Sequence, residues 1–207
     1  MNRLFITLAS LAITLSASAQ QVYSTDFATE NEFSKWTVID ENNDGITWKF
    51  DAEGSQSHVY YAYSPSEDAD DWFISPEITP TTTGKVMVRY TTYGTSYGEK
   101  IEAYTGTEPT VAGMTKLQKK NDAVKAERTT DYFFYDATAG VPFRVGFHTT
   151  SPKDHWKFYM CAFEVKQVNK VVDMQVANVV SPVSGENLSN AETVKVKVVN
   201  NGTDASD

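Results

Sequence analysis

The sequence is poor in residues that cross-link or catalyse, with one cysteine, Cys161, and three histidines in 207 residues. A single thiol cannot form an internal disulfide. The fold must therefore be stabilised by buried apolar surface, with or without a bound metal ion. Cys161 lies in the apolar run YMCAF, which predicts a small buried side chain rather than a nucleophile. H-E-x-x-H does not occur, and the G-x-S-x-G match at 94–98 (GTSYG) lies between two predicted strands rather than between a strand and a helix. The chain is therefore predicted to be non-catalytic, although a catalytic domain could lie elsewhere in a longer polypeptide.

Positive charge is also scarce, because 18 Lys and Arg face 27 Asp and Glu and leave a net charge of -9. Proteins that bind nucleic acid neutralise its phosphates with Lys and Arg. Neither nucleic acid nor an anionic lipid surface is therefore an expected partner.

Long apolar runs are missing except at the start of the chain. Arg3 precedes the run 4–15, and small residues at Ala17 and Ala19 fit an A-x-A cleavage pattern. The run is about a dozen residues, whereas a membrane-spanning helix needs roughly 20. Residues 1–19 are therefore predicted to be a cleaved signal peptide, and the protein is expected to be secreted or held at the cell surface, without a membrane span.

What the sequence does contain is aromatic residues in short bursts separated by turn residues. In the segment VMVRY, Val86, Val88 and Tyr90 alternate onto one face, as in a half-buried strand. The pattern predicts an all-β sandwich or barrel. Only residues 116–128 are compatible with a helix, and a long loop with one helical turn is the alternative. The predicted strands are 22–27, 35–40, 46–51, 58–64, 71–78, 85–93, 100–106, 131–136, 142–150 and 156–168.

A domain boundary is predicted near residue 169, after a first domain over 20–168. Residues 171–182 and 192–203 are two further strand-like segments around a Ser- and Gly-containing turn. Two strands cannot bury a sandwich core. Residues 169–207 are therefore interpreted as the truncated beginning of an immunoglobulin-like module, within a chain that is a fragment of a longer protein or pairs with another chain.

Three stretches in a fixed order carry a family resemblance: WTVIDENNDGITW (36–48), DWFISPEI (71–78), and DYFFYDATAGVPFRVGFHTTS (131–151), which reads as a strand, a turn and a second strand ending in His148. In this order they resemble the cleaved-adhesin domains of gingipain-type haemagglutinins and the wider choice-of-anchor-J group. The resemblance spans residues 22–168. The tail after residue 171 is similar to the Ig-like, cell-adhesion-related modules found beside such domains.

The resemblance implies a jelly-roll β-sandwich related to MAM and carbohydrate-binding modules. It also implies a non-catalytic secreted or surface adhesion module that binds a host protein or a glycan and holds structural calcium. Two alternatives remain open: a carbohydrate-binding appendage of a secreted enzyme, and a structural spacer in a surface assembly.

The acidic turn DENNDG is the candidate calcium site. Asp40, Asn42 and Asp44 provide oxygen at alternate positions before a glycine, and Asp51 lies where an EF-hand has its bidentate ligand. No helices are predicted to flank the turn, so an ion-bound β-turn is the hypothesis and an ordinary acidic hairpin turn is the alternative.

Two further observations bear on this calcium hypothesis. A second acidic cluster, 67–71, is interpreted as a solvated charge run rather than a second ion site. In the last strand, where the family pattern has two aspartates, this chain has Cys161 and Phe163, and only Glu164 remains acidic.

Exposed aromatic residues are the candidate ligand contacts, because flat rings stack on sugars and peptides at low entropic cost. Tyr93, Tyr97 and Trp156 lie near predicted strand ends or loops and are assigned this role. The other three tryptophans are predicted to lie in the core: Trp36, Trp48 and Trp72.

Overall fold

The computed structural model describes residues 20–52, 58–168, 174–181 and 193–200, so the predicted signal peptide lies outside it. The described residues of 20–52 and 58–168 form two antiparallel sheets. The six-stranded sheet contains β1 (Gln20–Thr25), β3 (Trp48–Asp51), β4 (His58–Tyr61), β6 (Gly84–Tyr93), β9 (Thr129–Ala137) and β11 (Phe158–Gln167). The five-stranded sheet contains β2 (Thr37–Asp40), β5 (Asp71–Ile74), β7 (Glu99–Gly106), β8 (Lys116–Val124) and β10 (Arg144–Thr149).

The strand order is β3-β4-β11-β6-β9 in the larger sheet and β2-β5-β10-β7-β8 in the smaller one. Strand β11 is central: β6 pairs along one side, and β4 and β1 share the other. The chain passes repeatedly from one sheet to the other, so neighbours in space are distant in sequence. The predicted all-β, jelly-roll sandwich is confirmed.

The core between the sheets is built mainly from aromatic rings. In β6, Val86, Val88 and Tyr90 are buried on the inner face, as their alternation predicts. Phe73 of β5 is fully buried and stacks on Trp36 at 4.4 Å and on Trp48 at 5.0 Å between ring centroids. The prediction that these two tryptophans are core residues is confirmed.

The prediction for residues 116–128 was wrong, because this segment contains strand β8, Lys116–Val124. It pairs antiparallel with β7 at the edge of the five-stranded sheet. An edge strand has only one neighbour and commonly carries lysine, which discourages pairing with other chains. The polar composition that suggested a helix or loop is therefore typical of an edge strand.

A short helix that the strand pattern did not predict, α1 (Glu30–Phe33), follows β1. Thr29 and Glu32 form a capping box, in which each side chain accepts a hydrogen bond from the other's backbone N–H. The T-x-x-E pattern is the sequence signal for this arrangement. The helix places Phe33 on Phe73 at 5.7 Å.

Two more strands, β12 (Met174–Ser181) and β13 (Lys195–Asn200), pair antiparallel with each other. Strands were predicted in both places, while their assignment to an Ig-like module stays a prediction. The part of the chain that the structure describes contains no helix with the length and apolar character needed to cross a lipid bilayer.

Candidate functional site

Five loops meet at one end of the sandwich, here called the loop end: 41–47, 62–70, 94–98, 125–128 and 150–157. Backbone hydrogen bonds connect some of these loops to one another. The N–H of Ala69 donates to the carbonyl of Ser151 at 2.9 Å, and that of Asp154 to Ser64 at 2.9 Å. Such cross-links give the loop end a defined surface.

The most prominent feature of the loop end is an exposed tryptophan whose ring packs on a neighbouring tyrosine and whose backbone is hydrogen-bonded to a buried glutamate. Trp156 is 43% exposed, and its ring stacks on Tyr63 at 4.9 Å and 29°. Its backbone N–H donates to Oε1 of Glu99 at 2.7 Å. Tyr97, 58% exposed, lies with its ring 6.2 Å from that of His155. We call Trp156, Tyr63, Tyr97 and His155 the aromatic platform.

Glu99 is the buried anchor of this platform, with no solvent exposure. Burial raises the pKa of the Glu99 carboxyl, while Ser151, the Trp156 N–H and His155 each lower it. The loop that carries Trp156 is also held by Ser151, whose hydroxyl accepts from the Lys100 N–H at 2.9 Å. The exposed ring is therefore fixed before any ligand arrives, which reduces the entropic cost of binding.

The structure separates Tyr93 from the other two predicted ligand contacts. Its ring does not join the aromatic platform but stacks on Tyr159, at 4.7 Å and 7° between planes. Both side chains point away from the core, on the outer face of the six-stranded sheet. Trp156 and Tyr97 thus share the loop end, and Tyr93 belongs to a second surface.

The acidic turn DENNDG (40–45) is organised by its own side chains. Asp40 accepts hydrogen bonds from the backbone N–H groups of Asp44, at 3.2 Å, and Gly45, at 2.9 Å. Asn43 and Gly45 have positive φ, 58° and 79°, which the Asn-Asp-Gly sequence tolerates. Asn42 donates from Nδ2 to the Asp68 carbonyl at 2.9 Å and so joins the turn to the 62–70 loop.

Beneath this turn lies a carboxylate that sequence reasoning assigned to solvent. Asp71 has no solvent exposure, and neither oxygen has a hydrogen-bond partner in the described ranges. The interpretation of 67–71 as a solvated run was therefore wrong for Asp71, because β5 lies between β2 and β10 and buries its first residue. Burial raises the pKa of Asp71 to about 6, and the charges of Asp40 and Asp44 add to it.

The oxygens around Asp71 are incompletely satisfied. Oδ2 of Asp44 is buried and unpaired within the described residues, as are the hydroxyls of Tyr61 and Thr47. These hydroxyls lie close enough to lower the pKa of Asp71, but neither makes a hydrogen bond of good geometry with it. A hard cation is the kind of ligand that such oxygens accept.

Two observations limit the predicted calcium site. Asp51 is at the far end of β3, opposite His58, so the structure does not bring it to the turn. Among residues 20–52, 58–168, 174–181 and 193–200, no group of three or more His, Cys, Asp or Glu side chains is arranged to hold a metal ion. The buried carboxylate oxygens near the turn that have no hydrogen-bond partner within the described residues are those of Asp44 and Asp71.

The replaced acidic positions of the last strand serve packing instead. Phe163 is buried in the core, and Cys161 is half-buried with Sγ 3.6 Å from the Thr91 carbonyl oxygen. Burial raises the pKa of the Cys161 thiol, as expected for a packed rather than a reactive cysteine. Glu164 faces the opposite side of the sheet from Phe163 and pairs with Arg89 at 3.4 Å.

A second cluster covers the outer face of the five-stranded sheet, where Trp72 is only 4% exposed. The predicted burial of Trp72 is confirmed, although it packs in this separate cluster. His148 stacks on Trp72 at 4.3 Å, and its Nε2 lies 2.7 Å from Oδ1 of Asp70. Gly146 makes room for Met114, because a Cβ there would lie 2.9 Å from the methionine sulfur. The loop that carries Met114 closes this face.

The fold is shared with adhesin domains and carbohydrate-binding modules. The K3 cleaved adhesin domain of Lys-gingipain from Porphyromonas gingivalis W83 matches with a TM-score of 0.56 and 18% identity, over 72% of this chain and 99% of that one. TmCBM61, solved with β-1,4-galactotriose, matches with a TM-score of 0.51 and 13% identity, over 72% and 99%. The CBM22-1 xylan-binding domain of Xyn10C from Paenibacillus barcinonensis matches with 0.50 and 12%, over 72% and 94%.

These likenesses confirm the predicted resemblance at the level of the fold. No protein-family model matches the chain, and no curated protein matches it. At such identities the fold is shared, while the ligand of each neighbour is that neighbour's own.

Proposed function

We propose that this chain is a non-catalytic binding module of a secreted or cell-surface protein, and that it holds a glycan at its loop end. The observation that carries the proposal is the Trp156 ring, exposed on one side, stacked on Tyr63 and anchored through Glu99. A fixed, flat, exposed ring suits the apolar face of a sugar. The fold of sugar-binding neighbours supports the same ligand class.

Replacing Trp156 by alanine is expected to weaken glycan binding by about 30-fold, the loss associated with a central aromatic contact of about 2 kcal/mol. A glycan array identifies the best ligand, and calorimetric titration then measures its affinity for both proteins. Tyr132→Ala is the matched control, because Tyr132 is similarly exposed, at 49%, but lies on β9. Equal losses in both variants would contradict the proposed site.

Adhesion to a host protein is the second candidate function, favoured by the fold shared with the K3 adhesin domain. The two candidates are separated by the ligand itself. An array without any glycan signal, combined with saturable binding to a purified host surface protein that Trp156→Ala weakens, would replace the glycan by a protein at the same platform.

We also propose that calcium stabilises the acidic turn, with Asp44 and Asp71 as the ligands that the structure favours. Asp71 is fully buried with both oxygens unpaired within the described residues, and a nearby Asp44 oxygen is in the same condition. A divalent cation would neutralise this concentration of negative charge, which is otherwise costly to bury. Asn42, already bonded to the Asp68 carbonyl, would keep the turn close to the neighbouring loop.

Thermal unfolding in EDTA and in calcium tests this second proposal. Calcium at 100 times its dissociation constant is expected to add about 2.7 kcal/mol to the free energy of unfolding. Asp40→Ala and Asp44→Ala should both reduce this calcium-dependent increment, whereas Asp136→Ala, which removes a carboxylate that is 79% exposed, should leave it unchanged. An identical midpoint with and without calcium would remove the ion from the turn.

A further inference from the structure

A row of three tyrosines crosses the outer face of the six-stranded sheet, at a different place from the aromatic platform. The register opposes Tyr60 of β4 to Tyr159 of β11, and Tyr159 to Tyr93 of β6. The residues beside them in the chain, such as Val59, Phe158 and Thr92, are buried, so the three tyrosines point outward. We call Tyr60, Tyr159 and Tyr93 the tyrosine row.

The rings of the tyrosine row form one continuous surface. Tyr93 and Tyr159 stack at 4.7 Å and 7°, and Tyr60 lies 5.9 Å from Tyr159. Neighbouring strands are about 4.8 Å apart, so the row extends over roughly 10 Å. All three side chains are partly buried, which holds the rings in place while part of each remains accessible.

Cations surround this row in a chain whose net charge is -9. The Lys157 ammonium lies 5.6 Å from the Tyr60 ring centroid and 5.5 Å from that of Tyr159. The Arg128 guanidinium lies 5.2 Å from the Tyr93 ring centroid. Lys49 is exposed and continues the row on β3, directly opposite Tyr60. A local cluster of positive charge on a protein whose net charge is negative favours an anionic partner.

The cations are held by the tyrosines themselves. A hydrogen bond with Tyr159 raises the pKa of Lys157, and the charge of Asp51 adds to this effect, so Lys157 stays protonated at neutral pH. Burial raises the pKa of Tyr93, although Arg128 lowers it. The Tyr93 phenol is therefore neutral at neutral pH and does not cancel the charge of Arg128.

From this arrangement we propose that the tyrosine row is a second binding site, specific for an acidic oligosaccharide whose rings stack on the tyrosines and whose anionic groups pair with Lys157, Arg128 and Lys49. The site uses other side chains than the aromatic platform, although Lys157 and Arg128 lie in loops of the same loop end, and it does not depend on the function proposed for that platform. An aromatic face can stack on a sugar ring while a neighbouring cation pairs with a negatively charged group on the same ring.

A glycan fits this surface better than an acidic peptide does. The row runs across the strands in the middle of a sheet, where β4, β11 and β6 already pair with one another. A peptide laid along it would find no free strand edge with which to share backbone hydrogen bonds. A ligand that binds through ring faces and anionic groups needs no such edge.

The purified protein is titrated with oligogalacturonate, with a sulfated galactan oligosaccharide, with neutral galactotriose and with poly-glutamate, at low and at physiological salt. Lys157→Gln and Arg128→Gln should each weaken oligogalacturonate binding about 10-fold. Tyr159→Ala should abolish it, and a circular dichroism spectrum checks that this variant folds. Lys35→Gln, which removes an exposed lysine beside α1, should have no effect.

The outcomes separate the alternatives. Loss in the charge variants for oligogalacturonate alone assigns the site to carboxylated sugars, and loss for both acidic glycans assigns it to anionic sugars in general. Poly-glutamate bound as tightly and with the same variant sensitivity would overturn the glycan assignment. Absence of acidic-glycan binding, or binding untouched by Lys157→Gln and Arg128→Gln, would overturn the site. Trp156→Ala reports on the aromatic platform separately and should leave oligogalacturonate binding intact.

Discussion

Replacing Phe73 by alanine is expected to lower the free energy of unfolding by about 3–5 kcal/mol, the usual cost of truncating a buried phenylalanine. Phe73 is fully buried and is the ring on which four other aromatic side chains converge. Its ring centroid lies within 5.8 Å of each of theirs: Phe27, Phe33, Trp36 and Trp48. The cavity would open between rigid rings, which cannot collapse readily to fill it.

Denaturant unfolding monitored by tryptophan fluorescence measures this loss, because Trp36 and Trp48 flank the site. Tyr97→Ala is the control, since the Tyr97 side chain is 58% exposed and its truncation should cost less than about 0.5 kcal/mol. A loss below about 1.5 kcal/mol for Phe73→Ala would mean that the rings repack and that the core is less rigid than the structure indicates.

Asp71→Asn is expected to make the protein more stable than the wild type in EDTA at pH 7. In calcium the variant is expected to be less stable than the wild type. Because burial raises the folded-state pKa of Asp71 from 3.8 to about 6, the folded chain holds this proton more tightly than the unfolded chain. The stability linked to the group is complete below pH 4 and is lost as the pH rises through 6. At pH 7 the asparagine variant avoids a penalty of at most about 3 kcal/mol.

The measurement is the unfolding free energy of both proteins between pH 4 and 8, first in EDTA and then in calcium. In EDTA the wild-type curve should fall between pH 4 and 6, and the Asp71→Asn curve should fall less, because Glu99, the other buried carboxyl with a raised pKa, still contributes. In calcium the wild type should gain stability and the variant should gain little. Asp136→Asn, at an exposed ion pair with Lys85, should leave both curves unchanged. A variant with the same calcium gain as the wild type would exclude Asp71 as a ligand.

The sandwich could be predicted from sequence because strand alternation is local. The pattern at Val86, Val88 and Tyr90 assigns a face without knowledge of the partner strand. Strand β8 was not predicted because it contains few apolar residues and several lysines, so it lacks the alternation that marks a strand. Its strand conformation depends on pairing with β7, which cannot be seen from local composition.

The sequence allowed individual residues of the candidate sites to be predicted, but not which residues lie together in space. Trp156 and Tyr97 could be named as exposed rings, yet Tyr63, which supports Trp156, and Glu99, which anchors it, are far away in the chain. The same limit explains Asp71. Acidic neighbours suggested solvent exposure, whereas the position of β5 between two strands decided its burial.

The central strand β11 also bears on the order in which the chain can fold. Its partner β1 is the first strand, and Gln20 pairs with Gln167 across nearly the whole domain. The first strand must therefore wait, unpaired, until the last strand of the sandwich is available. Topologies with such distant contacts fold slowly, because closing the long loop costs entropy before any contact compensates. The six-stranded sheet can therefore be completed only after nearly the whole domain has been synthesised.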